Sequence, residues 1–139
     1  MNATGPDITE QVSAFPFDAT LQRLEAAMAA AGLSIFARID HAEGARAVGL
    51  SMPPTIVLLY GNPRGGTPIM QAEPRAALDL PLRVLVRQTP DGAVIVSYRP
   101  ARVVLLSLGV AEDLAGKLDP AQRLLKTAIS TGEAAYGAA

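Results

Sequence analysis

The chain lacks several things that most function classes require. It has no cysteine, which removes disulfides, thiolate zinc sites, iron–sulfur clusters and thiol nucleophiles together. It has no tryptophan, and three Phe and three Tyr are its whole aromatic supply, little for the stacked-ring surfaces that hold single-stranded nucleic acid. Neither sign of charge dominates: 12 Lys+Arg stand against 13 Asp+Glu in 139 residues. A net charge of −1 does not supply the basic face of a nucleic-acid binder, so no nucleic-acid partner is expected. A lone His excludes a catalytic metal site built of imidazoles; no metal and no cofactor is expected. Apolar runs such as residues 56–59 and 103–106 are short, far below the ~18 needed to span a bilayer. No Lys or Arg precedes Arg23, so a secretory n-region is missing. The expectation is a cytoplasmic protein with no membrane partner.

What is present spells out an architecture. Residues 1–7 are polar with Gly and Pro and read as a flexible tail, as do residues 131–139; residues 8–130 read as one domain. A first strand is weakly indicated over residues 8–14. Asp18 suits an N-cap, and Leu21, Leu24, Met28 and Ala31 follow at helical spacing to form one apolar stripe, closed by Gly32. Apolar residues alternate over 33–39, the pattern of a half-buried strand. Asp40 and Glu43 are spaced as an N-cap and its N3 partner, predicting a short helix over 41–48. Residues 55–60 read as a central strand, residues 61–66 as a loop, and Thr67-Pro68 as a helix start with proline at N1. Pro74 allows one more short turn. Two strands, 82–88 and 93–98, flank the turn residues Pro90-Asp91-Gly92. Residues 100–110 and 119–130 read as helices, the second opening on a capping-box pattern at Asp119-Pro120-Ala121-Gln122. A hairpin in mid-chain argues against a doubly wound parallel sheet. The expected class is α+β: a two-layer sandwich with a mainly antiparallel sheet of about five strands, packed against a long N-terminal helix and C-terminal helices.

An ordered set of segments carries a resemblance. It comprises Ile39-Asp40-His41-Ala42-Glu43-Gly44-Ala45, Met52-Pro53-Pro54-Thr55, Tyr60-Gly61-Asn62-Pro63, Gly66-Thr67-Pro68-Ile69-Met70, Leu80-Pro81-Leu82-Arg83-Val84-Leu85-Val86 and Val96-Ser97-Tyr98. Together these resemble the bacterial family known as domain of unknown function 302, over residues 17–108. The resemblance implies a helix-on-sheet layout like that of the TATA-box-binding protein, and a homodimer. It implies no settled activity, and the fold analogy carries no DNA binding, because function lives in sites. Residues 102–130 depart most from the family pattern.

The candidate site residues lie at strand ends. His41 follows the capping Asp40 at a helix start, where the dipole favours neutral imidazole and the carboxylate favours the cation. In the first case it is a candidate general acid or base; in the second it orders the turn. Gly61 and Gly66 have the glycine spacing of a phosphate-binding loop, but no Lys follows Gly66 and Pro63 lacks an N–H, so a Walker NTPase is excluded. A weaker anion cradle remains, with backbone donors at Gly66 and Thr67, charge from Arg64, and Asn62 orienting the ligand. Met52 and Met70 with His41 make a soft Cu(I) set on paper, though methionine is more often a core filler. Arg83 and Arg87 share one strand face. No pair of carboxylates and no serine context points to hydrolysis. The leading reading is a small-ligand-binding or regulatory domain acting as a homodimer. Its site lies between the Asp40-His41 turn and the loop from Gly61 to Met70, taking a small anionic ligand. An enzyme using His41, and an interaction module without ligand, are the alternatives.

Overall fold

A computed structural model describes residues 7–131; of the tails expected over 1–7 and 131–139, all but residues 7 and 131 lie outside the described residues. The order is β1 (Thr9–Val12), α1 (Phe17–Ala30), β2 (Ser34–Asp40), α2 (His41–Ala47), β3 (Thr55–Gly61), α3 (Pro63–Ala72), β4 (Leu82–Gln88), β5 (Val94–Tyr98), α4 (Ala101–Ser107), α5 (Glu112–Ala115) and α6 (Asp119–Ala128). Single 3-10 turns occupy Pro74–Leu78 and Gly116–Leu118. The sheet runs β1-β5-β4-β3-β2 with every pairing antiparallel. Strands β2 to β5 form a meander, and α1 carries the chain from the β1 edge to the β2 edge. This is the α+β sandwich that the pattern of elements predicts.

The alternation of β3, β4 and β5 explains the two faces. Ile56, Leu58, Tyr60, Val84, Val86, Val94 and Val96 point to one side and are buried. There they meet Leu21, Leu24 and Met28 of α1 and Leu125 of α6, within one core cluster. The opposite face carries Val57, Leu59, Leu85 and Ile95, half-buried, and Arg87, which pairs with Glu10. Helix α1 ends in a Schellman motif: Gly32 has φ +76°, Leu33 N–H donates to Met28 O at 2.9 Å and Gly32 N–H to Ala29 O at 3.0 Å. That turn feeds straight into β2, so its position is fixed by the core stripe of α1.

Three local expectations about helix starts are not met. Asp18 is not the cap of α1; Pro16 is, and Asp18 lies in the first turn, where a carboxylate favours the dipole. Helix α3 starts at Pro63 under an Asn62 cap, leaving Pro68 inside the helix, so Thr67 is not a helix start. Asp119 makes no capping bond, because its backbone is already helical, running on from the 3-10 turn; its carboxylate pairs with Arg102 at 3.2 Å instead. Helix α5 and the 3-10 turn after it, for which the sequence pattern predicts no element, complete the C-terminal layer.

Candidate functional site

A cleft of about 590 Å³ opens at the end of the sheet where β2 begins and β3 ends. Four remote segments build it: the α1–β2 turn, the β3–α3 junction, the residues entering β4, and the 3-10 turn leading into α6. Leu33, Phe36, Leu59, Met70, Leu80 and Leu124 give it apolar walls. Phe36 reaches it because β2 shifts register between Ile35 and Ala37, a bulge that re-aims a side chain. Three glycines make the space. A Cβ on Gly61 would stand 3.7 Å from both Phe36 and Pro81. One on Gly65 would meet Leu118 at 3.4 Å, and one on Gly66 would stand 3.8 Å from Leu80 and Met70. Any larger side chain at Gly66 therefore projects into the room the cleft provides.

Asn62 is a strut in this site. Its Oδ1 accepts from Arg64 N–H at 2.9 Å, and its Nδ2 donates to Gly32 O at 3.2 Å. One side chain thus caps α3 and ties it to the end of α1. Its backbone carbonyl accepts from Gly65 N–H at 2.9 Å and Gly66 N–H at 3.1 Å. Pro63 has no N–H, and Thr67 sits a full turn inside α3, where the helical ladder uses its donor. The backbone anion cradle expected at Gly66 and Thr67 does not form, since both N–H groups assigned to it are used within the helix. Gly66 and Thr67 line the cleft as surface, and Arg64 is exposed and does not line it. The one charged side chain in the lining is Lys117.

His41 and Asp40 lie at the other end of the sheet. Asp40 pairs with Ile56 and Ser34 with Gly61, so β2 separates the two turns by about 20 Å. The antiparallel pairing of β2 with β3 dictates this, and it does not bring His41 and Asn62 to one site. Asp40 is a helix cap, its Oδ1 accepting from Glu43 N–H at 2.9 Å. Glu43 turns to Arg46, so only half of the capping box forms. His41 is exposed at the first position of α2. Met52, 42 % exposed, precedes β3 while Met70 follows it, so the soft His/Met set is not gathered either.

Two buried polar residues position the cleft's far wall. The Tyr60 hydroxyl donates to Ala121 O at 2.9 Å, pinning the start of α6 to β3. Burial, with Tyr98 nearby, pushes that hydroxyl's pKa well above its ordinary value of 10.0. Gln122 accepts from Ala101 N–H at 2.9 Å and donates to Arg99 O at 3.0 Å, fixing α6 to the β5–α4 junction. Neither contact has a spacing signal in the sequence. Lys117 and Leu118 lie in residues 111–118, to which the sequence pattern assigns no element.

An antiparallel sheet under helices, with an apolar cleft at one end, defines an α+β helix-on-sheet protein with a ligand-sized concavity. The family model for "Domain of unknown function DUF302" matches residues 8–132, and the chain belongs to that family, for which no specific molecular function is established. Among solved structures, an uncharacterized conserved DUF302 protein from Bacillus stearothermophilus superposes with a TM-score of 0.77 at 15% identity, over 90% of this chain and 97% of that one. At that identity the likeness is one of fold. In sequence, the chain is 38% identical over 100 residues to the fluoride-specific ion channel FluC 1 of Brucella suis biovar 1. The same identity holds for FluC 2 of Brucella melitensis biotype 1. The match covers 70% of this chain and 39% and 37% of those two proteins, so the chain spans well under half the length of these relatives. Among the described residues no helix is long and apolar enough to cross a membrane.

Proposed function

We propose that the domain binds a small, mainly apolar molecule in the cleft beside Gly66 and serves as a regulatory module. The carrying observation is the cleft itself. Its volume of about 590 Å³ falls in the range of small-molecule sites, and apolar walls with few polar groups are their usual lining. A regulatory role fits the absence of paired titratable groups in that lining, and His41 is too distant to act on a ligand there. It also fits the presence of a like segment within proteins named as ion channels, where a binding module would be attached to a different activity. The cysteine-free sequence suits a reducing, cytoplasmic setting, and the near-neutral charge suits no nucleic-acid partner. Native mass spectrometry and titration with the reporter dye 1-anilinonaphthalene-8-sulfonate test the reading. Expected is saturable one-to-one binding that Gly66→Leu and Pro120→Trp, which fill the cleft from opposite walls, abolish with the far-UV spectrum unchanged. Binding that survives both variants would place the ligand elsewhere.

The homodimer is supported by a separate observation. Strand β2 is the outer strand, and six of its seven residues are exposed. Ile35 and Phe36 are 40% and 52% exposed, and such an apolar edge is a template for pairing. Light scattering should give a dimer at micromolar concentration that Ile35→Lys converts to monomer. A monomeric parent protein would remove this part of the proposal.

A further inference from the structure

We infer that the cleft takes an amphipathic monoacid: an apolar chain or ring system carrying one carboxylate, held at the rim by Lys117. This rests on the cleft being a ligand site and names the class of its ligand. The first support is charge. Lys117 is the one charged side chain in the lining, and it forms no ion pair with any described residue. Two acids of the same segment are engaged by another cation: Arg102 holds Asp119 at 3.2 Å and Glu112 at 3.5 Å. An exposed Lys on an apolar surface lays its stem along that surface and keeps its ammonium at the water's edge, which is where the head group of a bound amphiphile would emerge.

The second support is the chemistry of the remaining lining. A ligand polar at several points would need several side-chain partners, and besides Lys117 the lining offers only the Thr67 hydroxyl. Asn62 is occupied at both ends by Arg64 and Gly32, and the first N–H groups of α3 are taken by Asn62 itself. Burying a second polar group of the ligand against Leu33, Leu80 and Leu124 would leave it unpaired at a cost in affinity. One charge at the mouth and an apolar body within is the composition that matches. The third support is size. The cleft's volume of about 590 Å³ lies within the range of small-molecule sites, which suits a ligand such as a medium-chain fatty acid or a substituted aromatic acid.

The experiment compares three probes of one tail length, decanoate, decanol and decyltrimethylammonium, by calorimetric titration of the full chain below their micellar concentrations. Decanoate should bind tightest and the cation weakest. Lys117→Gln should weaken decanoate about fivefold, to the level of decanol, and leave decanol unchanged. Lys117→Glu should reverse the preference toward decyltrimethylammonium. If decanol matches decanoate, or Lys117→Gln leaves decanoate untouched, the acid class is wrong. The cleft reading then stands provided Gly66→Leu still abolishes decanol binding. If none of the three probes binds, the ligand class and the cleft reading fail together.

Discussion

The two ends of the sheet make an instructive pair. Each has a strand running into a helix through a polar cap: Asp40 into α2 at one end, Asn62 into α3 at the other. Each cap residue is followed by a residue that draws attention, His41 in one case and the Pro63 to Gly66 run in the other. At the α2 end the connection to β3 leaves Val48 and Leu50 exposed, and among the described residues no element covers them. At the α3 end the C-terminal layer comes down through Leu118 and Ala121 and turns a strand end into a cleft. A cap is a local device that one stretch of sequence can encode. A concavity is a remote one, and it follows from where α6 lands.

The largest expected effect tests that contrast directly. Leu118 is 8% exposed and packs at the Cβ position of Gly65, so Leu118→Ala should cost about 2–4 kcal/mol in urea unfolding. Leu50→Ala at the opposite end, 67% exposed, should stay within about 0.5 kcal/mol. Equal losses would mean that the C-terminal layer contributes no more than the open end. The paired caps come next. Asn62→Ala removes both the α3 cap and the strut to Gly32, for about 2 kcal/mol, and should weaken decanoate binding by loosening the cleft's mouth. Asp40→Ala removes a cap alone, for about 1 kcal/mol, and should leave binding intact. Denaturant midpoints and calorimetry on the two variants separate the effects.

These pairs also show how much was legible in the sequence. The stripe of α1 with its Gly32 terminator, the Asp40 cap and the β4–β5 hairpin are local periodicities and turns, and all three form where their residues indicate. The helix expected to start at Thr67-Pro68 starts instead at Pro63, within the expected loop. Asn62 caps it and also reaches Gly32, a partner 30 residues away that no local pattern announces. Asp119 is no cap because the 3-10 turn over Gly116–Leu118 runs straight into α6. The separation of His41 from Asn62 was legible in principle. Antiparallel pairing of successive strands sets the start of β2 beside the end of β3, which forces the end of β2 to the far side. The contributions of Phe36, Lys117 and Leu124 to the cleft were not legible, since a bulge and the landing point of α6 decide them.

A smaller effect concerns the wall between the two ends. Tyr60→Phe deletes the bond to Ala121 O and should cost about 1 kcal/mol near neutral pH. Its pH signature is more telling. The folded protein holds the Tyr60 hydroxyl protonated above its ordinary value of 10.0, through burial first and Tyr98 second, while the unfolded chain ionises near that value. The unfolded state therefore binds fewer protons above pH 10, and stability falls as pH rises from there. Burial raises Tyr98 as well, so Tyr60→Phe should shallow the alkaline loss without abolishing it. Identical alkaline curves for the two proteins would show that the α6 contact leaves the Tyr60 environment open to water.

The smallest expected effect belongs to the residue that drew most attention in the sequence. His41 is exposed at the first position of α2, about 20 Å along β2 from the Asn62 junction. It shares no ion pair or hydrogen bond with the cleft's walls. Coupling over that distance requires an element with two arrangements that both ends bias; β3 between them is a paired inner strand with its alternate side chains in the core, which leaves no room for one. His41→Ala should therefore change stability by no more than about 0.5 kcal/mol and leave decanoate affinity at the parent value. A loss of decanoate affinity in this variant, with the fold intact, would join the two ends that the register of β2 and β3 holds apart.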